Sequence, residues 1–121
     1  MATVSKPVYD PRNEKRFDPA RIEHRTAESG LAELGTYIMT FDAGGQSDPW
    51  TLQYEETIFV VEGRVELTVL EETTRTIAGE TGELLVLPKG STVQYGATPG
   101  TRLLLSISPV DWRARLEADA S

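Results

Sequence analysis

A chain of 121 residues with 39% apolar and 26% charged side chains can bury one core but not two. Its net charge of −7 repels phosphate backbones and anionic bilayers, so nucleic acid and membrane surfaces are excluded as expected partners. The absence of cysteine removes disulfides, thiolate metal sites and a cysteine nucleophile together.

Residues 1–10 carry one lysine and no apolar run of the secretory type, and no stretch nears the ~20 apolar residues of a membrane helix. A cytoplasmic location is therefore expected. Residues 1–30 are polar and broken by Pro7, Pro11 and Pro19. They read as an extended N-terminal arm holding at most one short strand or turn, lying against the domain or a second subunit. Residues 31–121 read as a single folded domain.

From Leu31 onward the apolar residues come in short runs. Gly35, Tyr37, Met39 and Phe41 alternate with Thr36, Ile38 and Thr40, which suits a strand covered on both faces. A turn-rich loop follows at 42–49. Residues 57–61 are β-branched and aromatic, and Glu62-Gly63 makes a tight turn. Val65, Leu67 and Val69 then alternate with Arg64, Glu66 and Thr68 as a half-buried strand. A hairpin tip is expected at 71–75, with further strands at Ile77, 84–87, 92–95 and 102–108. The glycines and prolines between them point to an all-β sandwich or barrel. Only 111–118 reads as helix, with Asp111 as N-cap and Trp112 and Leu116 resting on the barrel.

Gly44, Glu56 and Gly63, and later Gly82, Pro88 and Gly90, form two spaced sets that resemble the paired motifs of the cupin superfamily, which implies a double-stranded β-helix, or jelly-roll, barrel. Gly44, Glu56 and Gly63 stand at the spacing of G-x5-H-x-H-x3-E-x6-G, with Trp50 and Leu52 at the histidine positions. Gly82, Pro88 and Gly90 match G-x5-P-x-G-x2-H-x3-N, with Val93 and Ala97 in place of histidine and asparagine. A cupin metal centre needs about three imidazoles and a carboxylate converging at ~2.0–2.2 Å. Trp50, Leu52 and Val93 offer no donor, and the chain's one histidine, His24, lies in the arm. No transition metal and no other cofactor is expected.

Within the cupins, the run from Trp50 to Glu56 leading into Val61-Glu62-Gly63 resembles the W-T-L-N-Y-D-E…L-E-G signature of the ethanolamine-utilisation protein Q family. Pro88-Lys89-Gly90-Ser91, Tyr95-Gly96 and Pro109-Val110-Asp111-Trp112 are similar to its later P-K-G-S…F-G…W-P-x-N-W. The resemblance spans 31–112. It implies an accessory role in ethanolamine or amino-alcohol catabolism, with association to a bacterial microcompartment. Acetate kinase activity is attributed to that family; this chain has no phosphate loop of the G-x4-G-K-[ST] type.

Motif spacing places positions 50, 52 and 56 on the inner face, and strand period adds Tyr54, Ile58 and Val60. The expected pocket is walled by Met39, Trp50, Leu52 and Val93, with Tyr54, Glu56, Ser91 and Tyr95 as its polar groups. Such an apolar cavity with few convergent polar groups is the usual form of a small-molecule site. Beside Trp50, desolvation raises the Glu56 pKa toward neutrality and suits it to general acid or base work, with Tyr54 or Tyr95 as hydrogen-bond partner. Equally, Glu56 serves as an anchor between strands. Glu55 has the opposite parity and points outward. Lys89 either holds an anion at the mouth or is a solvated turn lysine, and Trp50 is pocket wall or plain core.

Three functions follow: an accessory small-molecule-binding protein of amino-alcohol catabolism; a metal-independent isomerase, cyclase or lyase using Glu56; and a non-catalytic binding module. The long arm and exposed strand edges also lead to the expectation of a homodimer.

Overall fold

Strict alternation of inward apolar and outward polar side chains turns most of the chain into short strands. In the computed structural model, residues 2–120 are described; Met1 and Ser121, the outermost residues of the expected arm and domain, lie outside the described residues. A 3-10 turn at Pro11–Asn13 precedes β1 (Glu14–Phe17), β2 (Ala20–His24), β3 (Gly35–Phe41), β4 (Gly45–Gln46), β5 (Trp50–Thr51) and β6 (Glu55–Glu62). Then come β7 (Arg64–Val69), β8 (Arg75–Glu80), β9 (Leu84–Leu87), β10 (Thr92–Ala97), β11 (Thr101–Ser108) and helix α1 (Trp112–Ala120).

The strands pair antiparallel in two sheets. One runs β1-β2-β3-β11-β6-β9; the other runs β4-β10-β7-β8, with β5 also on β10. This is the expected jelly-roll barrel. Along β6 every second residue, Glu56, Ile58 and Val60, is buried, and along β11 Thr101, Leu103, Leu105 and Ile107 are. Val65, Leu67 and Val69 of β7 and Val93 and Tyr95 of β10 face them from the second sheet. The register sets the polarity of the interior. Leu103 lies between Met39 and Val60, whereas Ile107 lies between Gly35 and Glu56. Phe41, Val60, Val65 and Leu103 are wholly buried, so the end of the barrel near them is sealed by packing.

The first 30 residues differ from the extended arm expected for them. Residues 14–24 form a hairpin whose second strand pairs with β3 of the same chain, Ile22 opposite Met39 and His24 opposite Tyr37. The physical reason is core demand: Ala20 is fully buried and Phe17 and Ile22 pack on the core, so the sheet is incomplete without them. Asp10 is fastened to this hairpin, its N–H donating 2.9 Å to the carboxylate of buried Glu23.

The motif glycines serve as turns. Gly63 joins β6 to β7 at φ 92°, and a Cβ there would strike the Thr101 side chain and lie 2.8 Å from its Cα. Helix α1 starts where the Asp111 carbonyl accepts from the Arg115 N–H. Trp112 packs on the core as expected, but Leu116 is 41% exposed and does not. No helix among the described residues is long and apolar enough to cross a membrane.

Candidate functional site

Glu56 comes from β6 in the first sheet and Tyr95 from β10 in the second. Their side chains meet across the barrel, the Tyr95 hydroxyl donating 3.0 Å to Glu56 Oε1. Tyr95 is fixed by Ser47, a buried loop residue whose hydroxyl accepts from the Tyr95 N–H at 2.9 Å and whose own N–H donates to the Tyr95 carbonyl at 2.8 Å. Burial pushes the Glu56 carboxyl up to about 7, and the Tyr95 hydrogen bond offsets only part of that rise. Burial, then the Glu56 charge, raises the Tyr95 phenol as well. The Tyr95 phenol is therefore a neutral donor at physiological pH, while Glu56 exchanges its proton there.

Above this pair opens a cavity of about 400 Å³. Its floor is Met39, Glu56, Leu105 and Ile107, and its walls are mostly aromatic: Phe17, Tyr37, Trp50, Tyr54, Tyr95 and Trp112. The rings brace one another edge to face. Phe17 lies 5.7 Å from both Trp50 and Tyr95, and Trp112 lies 6.0 Å from Trp50. The Trp50 indole N–H donates 3.0 Å to the Tyr54 hydroxyl, leaving the Tyr54 proton for another acceptor. Burial, then the charge of Glu56, raises the Tyr54 phenol. Lys15, Arg16 and Arg113 also line the cavity, and all three are exposed, so they form the mouth.

Residues 15–114 match the family model described as "Ethanolamine utilisation protein EutQ". The chain belongs to the EutQ family. Among relatives, the acetate kinase EutQ of Escherichia coli K12 is 36% identical over 66 residues, covering 54% of this chain and 27% of that protein. The chain thus spans less than a third of that relative's length. Among solved structures, the Clostridium difficile EutQ protein superposes with a TM-score of 0.69 at 21% identity, covering 89% of this chain and 83% of that one. An RmlC-like cupin from Shewanella frigidimarina gives 0.65 at 16% identity, with 91% and 96% covered. These likenesses establish the cupin fold.

The EutQ-like barrel brings five of the expected site residues to one cavity: Met39, Trp50, Tyr54, Glu56 and Tyr95. Glu55 is exposed, as its parity requires. Four others stand elsewhere. Leu52 and Val93 point inward but are enclosed by the core and do not line the cavity. Ser91 spends its hydroxyl on the Pro88 carbonyl at 2.8 Å, capping the turn, and Lys89 projects from that turn into solvent. Backbone bonds explain the separation: Gly90 N–H to the Leu52 carbonyl at 2.8 Å, and Leu52 N–H to the Ser91 carbonyl at 2.9 Å, tie the turn to the loop before β6.

A cupin metal does not fit this donor set. Trp50, Leu52 and Val93 fill the ligand positions, and among the described residues no three His, Cys, Asp or Glu side chains converge. His24 instead stacks on Tyr37 at 4.4 Å; burial and then Lys15 lower its pKa, favouring neutral imidazole. Sequence reading missed Phe17, Trp112 and the cationic mouth. Phe17 and Lys15 sit in the segment read as an arm, and Trp112 was assigned to packing of the tail. The one signal available was Phe17 itself, an isolated aromatic in a polar stretch.

Proposed function

We propose that this EutQ-family cupin binds a small polar molecule over Glu56, without a transition metal, as an accessory protein of ethanolamine or related amino-alcohol catabolism. The observation that carries the reading is a carboxyl buried on the floor of an open, aromatic-walled cavity, hydrogen-bonded by one tyrosine and titrating near 7. Cavities of this kind, apolar with a few polar groups, are the common form of small-molecule sites. The pathway follows from the family name. The acetate kinase activity named for the E. coli relative stays with that longer protein.

A second reading, metal-independent proton transfer, is favoured by the same pair. A carboxyl with a pKa near the working pH gives the best balance of occupancy and driving force for a general acid or base. Tyr95 would then position Glu56 or polarise a substrate oxygen.

The deciding experiment screens amino alcohols and their aldehyde and acid derivatives by calorimetry and by turnover, with wild type and Glu56→Gln. Binding retained and turnover lost in the variant supports catalysis by Glu56. Binding weakened, with no turnover in either protein, supports the binding role. No binding by any compound to folded wild type overturns both.

A further inference from the structure

We propose that the cavity selects a small zwitterion, its ammonium end seated between the aromatic walls and Glu56 and its anionic end held at the mouth by Lys15 and Arg113. This deepens the small-molecule reading and rests on it.

The interior end of the cavity is electronegative in two ways. Among the described residues Glu56 has Tyr95 as its hydrogen-bond partner and no cation paired with it. A buried carboxyl without a counter-charge gains from a ligand cation, which supplies the compensation that burial removed. The rings around it add their negative π faces, a surface that suits organic ammonium groups. Phe17, Trp50, Tyr54, Tyr95 and Trp112 touch one another around the cavity and supply such aromatic surface.

The mouth has the opposite sign. In a chain of net charge −7, three exposed cations stand at one opening. Elsewhere among the described residues six arginines are paired with carboxylates, Arg12, Arg21, Arg25, Arg64, Arg75 and Arg115, while Arg102, Lys6 and Lys89 stand singly and away from this opening. Arg16 at the mouth is held by Asp18 at 2.6 Å, but Lys15 and Arg113 have no carboxylate partner among the described residues. Arg113 lies over the Trp112 ring, 4.6 Å from its centre, which holds its charge beside the opening. Lys15 comes from β1 and Arg113 from α1, so the two flank the entrance from different elements.

A simple amine would satisfy the floor but meet repulsion at the entrance, and a simple anion would do the reverse. A molecule with ammonium and anionic ends satisfies both. The volume holds roughly a dozen non-hydrogen atoms, taking about 30 Å³ for each water-sized group. A carboxylate and a phosphate present the same charge to Lys15 and Arg113, so the test includes both.

The probes are ω-amino acids of three to six carbons and an ω-aminoalkyl phosphate, each with its matching amine, anion and alcohol. Affinity is read by calorimetry, and location by the indole N–H signals of the two tryptophans, both of which line the cavity. The zwitterion is expected to bind roughly tenfold tighter than any probe lacking one end, the scale of a partly desolvated cation–aromatic contact. Glu56→Gln is expected to erase the preference for the amine end, and Lys15→Gln with Arg113→Gln to erase the preference for the anionic end. The second pair is exposed, so it reports even if the first variant fails to fold. Equal binding of zwitterion and alkanoate, or of zwitterion and amine, overturns the inference while the cavity remains a ligand site. Failure of every probe to shift either indole signal overturns both.

Discussion

At Glu56 the folded state holds a proton more tightly than the unfolded chain does, because burial penalises the carboxylate. Its pKa rises from 4.5 to about 7 on folding. Between those values the native state binds more protons, so the stability from this group is full below pH 4.5 and is lost as pH rises through 7. The groups facing it do not reverse that sign: Tyr95 and Tyr54 stay neutral, and Lys15, Arg16 and Arg113 lie in solvent at the mouth. Glu56→Gln removes the titration. Wild type is expected to lose about 2 kcal/mol relative to the variant between pH 5 and pH 8, the part of the shift that falls in that window. Urea unfolding of both proteins at the two pH values checks this; parallel curves would contradict it. The inward placement of Glu56 was legible from motif spacing together with the alternation of Glu56, Ile58 and Val60 along one strand. Its pairing with Tyr95 was one of two options, and only the register across the barrel chose it.

Among the elements, the β6–β7 turn and α1 make contrasting demands. Gly63 adopts a left-handed φ and backs onto Thr101, so Gly63→Ala adds both backbone strain and a clash with backbone. A loss of about 2 kcal/mol or more is expected in denaturant unfolding. Helix α1 is held by Trp112, by the Val110 N–H to the Glu33 carbonyl just before it, and by an exposed Arg115–Glu33 ion pair at 2.7 Å. An exposed pair of this kind contributes little. Trp112→Ala is therefore expected to free the helix: amide exchange at 112–120 should approach that of an open chain while β6 and β11 keep their protection. Retained protection in the helix would show that other contacts hold it. The turn was readable in the sequence because glycine at that spacing has a backbone reason. The helix was readable too, but its weight on the cavity was not, since a tail tryptophan looks the same whether it packs on a wall or on a core.

For the whole molecule, the N-terminal hairpin decides the limits of the barrel. Phe17 walls the cavity, Ala20 fills the core and β2 covers the edge of β3. A chain starting at residue 31 loses all three and is expected to aggregate or melt far below the full chain. A chain starting at residue 9 keeps the hairpin and the Asp10–Glu23 contact, and should melt close to it. Scanning calorimetry separates the two cases, and a stable barrel from the shorter chain would show that the hairpin is dispensable. The sequence by itself determined the barrel, its inward faces and the absence of histidine from the cupin ligand positions, because period-two alternation and turn glycines are local properties. Tertiary structure alone decided which inward residues line a cavity and which are consumed by the core. Leu52 and Glu56 both point inward, yet one is sealed in the core and the other lines the cavity. That difference depends on how far along the barrel each residue lies and on two distant elements, the hairpin with Phe17 and Lys15 and the helix with Trp112 and Arg113. No local pattern specifies where those elements close on the mouth.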